Sequence, residues 1–218
     1  MSRPVLVLRP QPGSDATAAR ARDMGFEPIV APLFRIVPRA WRLPQGDFDA
    51  LLVTSVNATR MIGDELDRSL RAYAVGPATA AGLRERGFAD VVAGETDVVD
   101  LIAMAQKDGV RTMLHLAGEH RTAFDPGPIR IETCIVYAAE ALNPDPAFFA
   151  ALDAGAVVLL HSSRAARRFR ELAGDGHRIA AISAKVLDAA RGGQAAAAVI
   201  AERPTDDALL AAAARLCQ

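Results

Sequence analysis

The stretch Ile131–Leu142 reads Ile-Glu-Thr-Cys-Ile-Val-Tyr-Ala-Ala-Glu-Ala-Leu and decides the fold. Its β-branched and apolar residues are typical of a strand. We interpret it as a strand that returns the chain from one domain to another, with Tyr137 facing the gap between them. The alternative for Tyr137 is an ordinary half-buried strand aromatic.

A second extended run, at residues 33–37, predicts the outgoing counterpart of that strand. No helix separates it from the strand expected at residues 28–31, and Pro38, Pro44 and Gly46 then mark an irregular passage. Two strands joined directly indicate that the chain leaves one domain for another. We expect a discontinuous domain (1–33 plus 143–218), an inserted domain (40–130) and connector strands (34–39 and 131–142).

Elsewhere short apolar runs alternate with helical patterns, which predicts βαβ units and parallel sheets. Gly25, Gly87 and Gly192-Gly193 are expected to end helices, and Thr96 or Asp97 is expected to begin one. The expected helices lie at residues 16–24, 56–66, 78–86, 97–107, 146–152, 164–172, 184–191 and 206–216.

The middle and the end of the chain resemble each other. The nine residues from Thr54 (TSVNATRMI) align with the nine from His161 (HSSRAARRF) at an offset of 107. The same offset places residues 74–76 over residues 181–183, and an offset of 109 places residues 96–97 over residues 205–206. This repeat predicts two similar doubly wound domains, the second of which includes the first strands of the chain. Chance alignment of two βα arrays is the alternative.

Composition excludes several classes of protein. The 218 residues are 51% hydrophobic and 23% charged with a net charge of −1, so no global basic field favours nucleic acid or an anionic membrane. Apolar runs are too short for a signal or a membrane span, and we expect a cytoplasmic protein. Cys134 and Cys217 match no metal spacing, and the four histidines are scattered, so we expect no disulfide framework and no metal.

Small or polar residues follow most of the expected strands, where ligands of doubly wound sheets bind. Exposed amides and hydroxyls there suit an anionic ligand, although each residue could simply cap its helix. The candidates are Arg9, Ser55, Gly76, Thr79, Gly118, Glu119, Ser162 and Ser183.

Familiar catalytic motifs are missing from the sequence. No Gly-x-Gly-x-x-Gly or Walker loop follows a strand, which disfavours dinucleotides and nucleoside triphosphates. His161 is expected to be structural rather than a general base. Arg164, Arg167 and Arg168 share a helix face that is expected to be solvated, with a lesser chance that Arg164 meets a ligand carboxylate.

Several segments together resemble the uroporphyrinogen-III synthase family. They are VLVLRP at Val5, APLFRI at Ala31, TSVNA at Thr54, AVGPATA at Ala74, VY at Val136 and AERPTDDALLAAA at Ala201. The resemblance spans the chain in order. It implies two flavodoxin-like α/β domains joined by a two-stranded antiparallel connector, with the site in the cleft.

The resemblance also implies a reaction without a cofactor. Hydroxymethylbilane, a linear tetrapyrrole octacarboxylate, loses water and closes into uroporphyrinogen III with ring D inverted. We expect a monomer that binds neither nucleic acid nor membrane.

Residue roles follow from the same resemblance. Tyr137 matches the connector tyrosine that helps the hydroxyl leave, and Thr79 matches the threonine after Gly-Pro. Loop positions that bind the ligand largely through backbone amides match Ser55, Gly76, Gly118 and Ser162. The chain departs from the family at residues 183–186, Ser-Ala-Lys-Val, where many relatives have Gly-Pro-Thr-Thr; there Lys185 could supply a charge instead.

Two other functions remain open from sequence. A two-lobed, non-catalytic binder of an anionic small molecule would use the same amides and hydroxyls. A tandem receiver-like module is disfavoured because the strand ends lack clustered aspartates that would hold Mg²⁺.

Overall fold

The computed structural model describes residues 4–94, 97–190 and 195–216. The chain forms two compact units. We call Met1–Arg35 with Glu140–Gln218 the terminal unit, and Ile36–Ala139 the middle unit.

Strands and helices alternate over most of the chain. In order they are β1 (Pro4–Val7), α1 (Gly13–Asp23), β2 (Glu27–Val30), β3 (Phe34–Pro38), β4 (Ala50–Val53), α2 (Val56–Thr59), β5 (Arg71–Val75), α3 (Pro77–Glu85), β6 (Val91–Gly94), α4 (Val98–Lys107), β7 (Thr112–Gly118), β8 (Arg130–Ala141), α5 (Pro146–Asp153), β9 (Val157–Leu160), α6 (Ser163–Ala173), β10 (Arg178–Ala181), α7 (Ala184–Ala190), β11 (Ala197–Ile200) and α8 (Asp206–Ala214).

The terminal unit contains a parallel sheet in the order β2-β1-β9-β10-β11. Counted along this unit the strand order is 2-1-3-4-5, the flavodoxin-like doubly wound order. Central strands such as Val157–Leu160 are wholly apolar because both of their faces are buried. On one face, Ala21 of α1 and Leu209 of α8 pack with Val7 and Leu159.

The middle unit contains a sheet in the order β3-β8-β7-β4-β5-β6, whose neighbours from β8 to β6 are parallel. Residues of α2 and α3 pack on one face with Leu51 and Leu114. Residues of α4 pack on the other face with Leu52 and Met113. Helices therefore cover both faces of this sheet.

The two units share one spatial order of strands. The succession β8-β7-β4-β5-β6 corresponds to β2-β1-β9-β10-β11, so the middle unit is a circularly permuted version of the terminal unit. The offset of 107 pairs β4 with β9 and β5 with β10, as this correspondence requires. The expected doubly wound α/β fold is confirmed, and β1 and β2 do belong to the second of the two sheets.

Strands β3 and β8 are hydrogen-bonded neighbours that run in opposite directions. The Arg39 amide donates to the Val136 carbonyl at 2.9 Å, and the Leu142 amide donates to the Leu33 carbonyl at 3.0 Å. Residue numbers thus rise on one strand as they fall on the other, as expected for an antiparallel connector.

Helix α2 differs most from expectation, because it ends at Thr59 rather than near Leu66. Ile62 and Leu66 are buried as a helical pattern requires, but the backbone between them contains Gly63 and turns. Helix α1 begins earlier than expected, at Gly13 rather than at residue 16. Thr96, Gly192-Gly193 and Cys217 lie outside the described residues, and Cys134 is a free cysteine.

Candidate functional site

The carboxyl ends of parallel strands meet at one edge of a sheet, and loops there can hold a ligand. In the middle unit β7, β4 and β5 are consecutive neighbours. This edge therefore brings together Gly118 at the end of β7 with Glu119 after it, Ser55 after β4, and Gly76 after β5. In the terminal unit the corresponding edge brings together Arg9, Ser162 and Ser183.

Tyr137 lies against Gly118 at the edge of the middle unit. A Cβ atom at residue 118 would be 2.6 Å from Tyr137 Cζ and 2.8 Å from its hydroxyl oxygen. A register shift between Ala117 and Gly118 places Gly118 opposite Tyr137, and the Glu119 amide donates to the Tyr137 carbonyl at 2.9 Å. Tyr137 is partly buried, with its ring packed on the core cluster that contains Val136. Its phenol is thus held at the strand end and is not sealed inside the core.

Gly76 shapes the start of α3. Its φ of 84° and ψ of 161° lie where only glycine is comfortable, and Pro77 follows at the first helical position. The first-turn amides of such a helix have no intrahelical partner, so they can donate to an anion. Thr79 lies in this first turn and is only 4% exposed.

Ser55 begins α2 and acts as its cap. Its hydroxyl accepts from the Asn57 amide at 3.2 Å, which matches the capping alternative for this side chain. The preceding Thr54 hydroxyl lies 3.1 Å from Nε2 of His115, which is 1% exposed in the middle of β7. Burial, with a smaller contribution from the nearby Arg121 cation, lowers the pKa of His115 to about 4.

His115 is a residue that sequence reasoning missed. The signal was present, because it interrupts the apolar run Met-Leu-His-Leu-Ala, whose other members are buried. A buried polar side chain needs hydrogen-bond partners, and Thr54 and Thr133 supply them.

Glu119 faces Arg39 across the same edge, with 3.2 Å between its carboxylate oxygen and the guanidinium Nη2. Both side chains are exposed, so the pair adds little stability. The pair places a guanidinium beside the strand that carries Tyr137.

In the terminal unit, serine hydroxyls again cap helices. The Ser162 hydroxyl accepts from the Ala165 amide at 3.2 Å, and the Ser183 hydroxyl accepts from the Val186 amide at 3.4 Å. Lys185 is exposed, and its carbonyl accepts from the Ser163 hydroxyl at 3.4 Å. Its ammonium group is therefore available to a ligand at this edge.

Arg9 belongs to a cluster built around Asp206, the first residue of α8. The Asp206 carboxylate lies 2.7 Å from His161 Nε2 and 3.5 Å from Arg9 Nη1, and it accepts from the Thr17 hydroxyl at 2.8 Å. Gly13 makes room for the Arg9 guanidinium, since a Cβ there would lie 2.6 Å from Nε. Arg9 is thus oriented by its own unit.

Burial sets the electrostatics of this cluster. It raises the pKa of Asp206, but the His161, Thr17 and Arg9 contacts outweigh it and lower that pKa to about 2. Burial also lowers the pKa of His161, assisted by Arg9 and opposed by Asp206. These contacts fit the structural role expected of His161.

Comparison with known proteins then places the chain. The sequence profile described as uroporphyrinogen-III synthase HemD matches residues 15–211. The chain belongs to the uroporphyrinogen-III synthase family. Members of this family make uroporphyrinogen III in tetrapyrrole biosynthesis, and that is the activity of this chain.

Solved structures agree in fold. Uroporphyrinogen-III synthetase from Helicobacter pylori is 18% identical, with a TM-score of 0.66 over 99% of this chain and 100% of that chain. A mutant uroporphyrinogen III synthase from Thermus thermophilus is 17% identical, with a TM-score of 0.50 over 97% of each chain. No curated protein sequence gives a significant match.

Two further findings concern this family member as far as residues 4–94, 97–190 and 195–216 describe it. No group of three or more His, Cys, Asp and Glu side chains there is arranged to hold a metal ion. Within the same ranges, every helix is too short or too polar to cross a membrane.

Proposed function

We propose that the chain converts hydroxymethylbilane into uroporphyrinogen III by a cyclisation that needs no cofactor, releases water and inverts ring D. The position of Tyr137 supports this most directly. Its phenol lies against Gly118 at the carboxyl end of β7, on the edge that also carries Ser55 and Gly76.

Tyr137 would act as the general acid for loss of water. The carbon–oxygen bond of the hydroxymethyl group breaks, the departing oxygen takes the phenol proton, and the positive charge left on carbon is delocalised into the pyrrole ring. Ring closure later releases one proton, which restores the phenol. A positioned acid of this kind contributes roughly 10²–10⁴-fold to a rate.

Binding must hold eight carboxylates while the ends of the chain approach each other. Backbone amides at Gly76 and Ser162 begin α3 and α6, whose first-turn N–H groups favour anions. We propose that these amides, with donors at Ser55, Thr79, Gly118 and Ser183, contact the substrate carboxylates.

Charged side chains complete the proposed binding set. Arg9 and Lys185 supply positive charge on the edge of the terminal unit. Glu119 acts through Arg39, whose guanidinium it contacts. Positioning of this kind should supply much of the rate, because unassisted closure gives the uninverted isomer.

The organisation of the chain is proposed on the same basis. The division between the units falls within β3 and β8, which supports domains at residues 1–33 plus 143–218 and 40–130, with connector strands at 34–39 and 131–142. Because a substrate with eight carboxylates dissolves in water, we propose that the protein works in the cytoplasm. We propose that it does so as a monomer, which sedimentation would test.

Substrate turnover separates catalysis from the alternative, a binder of anionic molecules. Substoichiometric protein should consume a large excess of hydroxymethylbilane faster than buffer does. A binder would protect only an equimolar amount and would leave the remainder to close at the uncatalysed rate, which would refute the proposal.

A further inference from the structure

The middle unit contains a pocket of about 260 Å³ on the face of its sheet that α4 also covers. The lining residues come from β7, β8 and the loop at residues 119–129: His115, Arg121, Thr122, Ala123, Phe124, Pro126, Ile131 and Thr133. All of them belong to one unit.

Comparison of the two units explains why this space exists. In the terminal unit the connection between the first two strands is helix α1, and its Ala21 packs in one cluster with Val7. The corresponding connection in the middle unit runs from β7 to β8 and contains no helix along residues 119–129. The pocket therefore lies where the repeated fold would otherwise place a helix.

The strand residues that line this pocket also differ in chemistry from their counterparts in the terminal unit. Val7 pairs with Val30 and Leu159 in the terminal unit, and the equivalent residue His115 pairs with Thr133 and Leu52 in the middle unit. Two apolar residues are thus replaced by an imidazole and a hydroxyl. Burying polar groups costs free energy. A space that simply lacked a helix would gain nothing from polar walls, so the imidazole and the hydroxyl favour a ligand-binding role for the pocket.

His115 and Thr133 form the polar wall of the pocket, and hydrogen bonds and ring packing hold this wall. His115 Nε2 lies 3.1 Å from the Thr54 hydroxyl, and Nδ1 lies 3.5 Å from the Thr133 hydroxyl. The Phe124 ring meets the imidazole edge-on, with 5.6 Å between ring centroids. Because the strands and these contacts hold it, the wall is formed before any ligand arrives.

Arg121 contributes a cation to the lining of the pocket. Arg121 is exposed and close enough to His115 to lower the imidazole pKa. Across the described parts of the chain no carboxylate forms an ion pair with it. A guanidinium binds carboxylates through two parallel hydrogen bonds, and the Thr122 and Thr133 hydroxyls can add donors.

We propose that this pocket binds a carboxylate carried on a small, flat, apolar body. The carboxylate pairs with Arg121 and the threonine hydroxyls, and the body packs against Phe124, Pro126 and Ile131. A pyrrole ring of the tetrapyrrole and a free aromatic acid share this chemistry.

Benzoate is a suitable probe, and its binding can be followed by changes in the amide NMR shifts of the full chain. We expect saturable shifts at residues 121–124 and 133 with a roughly millimolar Kd, as suits so small a ligand. Arg121→Gln should weaken binding about tenfold, the usual effect of one charged hydrogen-bond partner. Arg42→Gln, at another exposed arginine of the middle unit, is the matched control and should bind as wild type does.

Neutral benzamide should bind far more weakly than benzoate, because the proposal requires the charge. The proposal is overturned if benzoate causes no saturable shifts at these residues, or if Arg121→Gln binds as tightly as wild type while its spectrum shows an intact fold. Binding is read without turnover, so this result is independent of the proposed function.

A competition experiment assigns the source of the ligand. Displacement of benzoate by the porphyrin octacarboxylate obtained on oxidising the product would show that the pocket holds part of the tetrapyrrole. Simultaneous binding of the two would show a separate site for a free acid.

Discussion

Gly118 and Tyr137 face each other across β7 and β8 so closely that a methyl group at residue 118 would overlap the phenol ring. The contact arises where the register of the two strands shifts. The absence of a side chain at Gly118 therefore leaves the space that the phenol ring of Tyr137 fills.

Gly118→Ala should displace this ring and lower kcat about tenfold or more, because a misplaced acid transfers its proton poorly. If Gly118 acts only through the phenol, the same change should cost much less in a Tyr137→Phe background. A double-mutant cycle on kcat measures this coupling. Additive losses in log kcat would show that Gly118 and Tyr137 act independently.

Tyr137→Phe alone should lower kcat about tenfold or more with little change in KM, because the hydroxyl acts in the chemical step. Tyr73→Phe is the matched control, since Tyr73 is the other tyrosine, is buried, and donates to Asp108 at 2.6 Å. Steady-state kinetics of the two folded variants should differ clearly. Equal kcat values for Tyr137→Phe and Tyr73→Phe would show that Tyr137 has only a packing role.

Gly76→Ala should raise KM and lower stability by about 1–3 kcal/mol. An alanine at a φ of 84° and ψ of 161° is strained, and relief of that strain would move the first-turn amides of α3. Chemical denaturation and substrate titration measure the two effects. A variant with wild-type values for both would show that this backbone conformation is dispensable.

Stability should fall as the pH is lowered from about 6.5 towards 4. Burial lowers the pKa of His115 to about 4, so in this range the unfolded chain binds a proton that the folded chain resists. Between pH 7.5 and pH 4 this loss amounts to about 3 kcal/mol for a pKa shifted from 6.5 to 4. Urea unfolding at both pH values measures it.

His115→Gln should remove the share of that pH dependence that comes from His115, while His161, whose pKa burial also lowers, keeps its own share. His120→Gln, at an exposed histidine, should leave the pH dependence unchanged. Asp206 adds a second transition at lower pH. Its pKa of about 2 lies below the ordinary value of 3.8, so its contribution is present above about pH 4 and is lost as the pH falls towards 2. An identical pH dependence in His115→Gln and wild type would contradict the assignment to His115.

Much of the fold could be predicted from the sequence because buried parallel strands leave short, wholly apolar runs such as Val157–Leu160. The internal repeat then paired β4 with β9 correctly. The length of α2 could not be predicted this way. Ile62 and Leu66 are buried as in a helix, but tertiary packing buries them from turns instead.

The candidate site was less accessible to sequence reasoning. Glycine at residue 118 suggested a loop, but its approach to Tyr137 depends on a register shift between β7 and β8, which the local sequence pattern does not show. His115 stood out in an apolar run. Its place in the wall of a pocket became apparent only from its pairing with Thr133 and from the absence of a helix along residues 119–129. The proposed substrate-binding residues stay predictions.

The distribution of product isomers tests the central claim most directly. Hydroxymethylbilane should be consumed completely by a catalytic amount of protein, and the product isomers should be separated by chromatography. We predict that uroporphyrinogen III dominates in proportion to the protein added, with a smaller share under Tyr137→Phe because slow catalysis competes with spontaneous closure. Dominance of the uninverted isomer, as in buffer alone, would contradict the account.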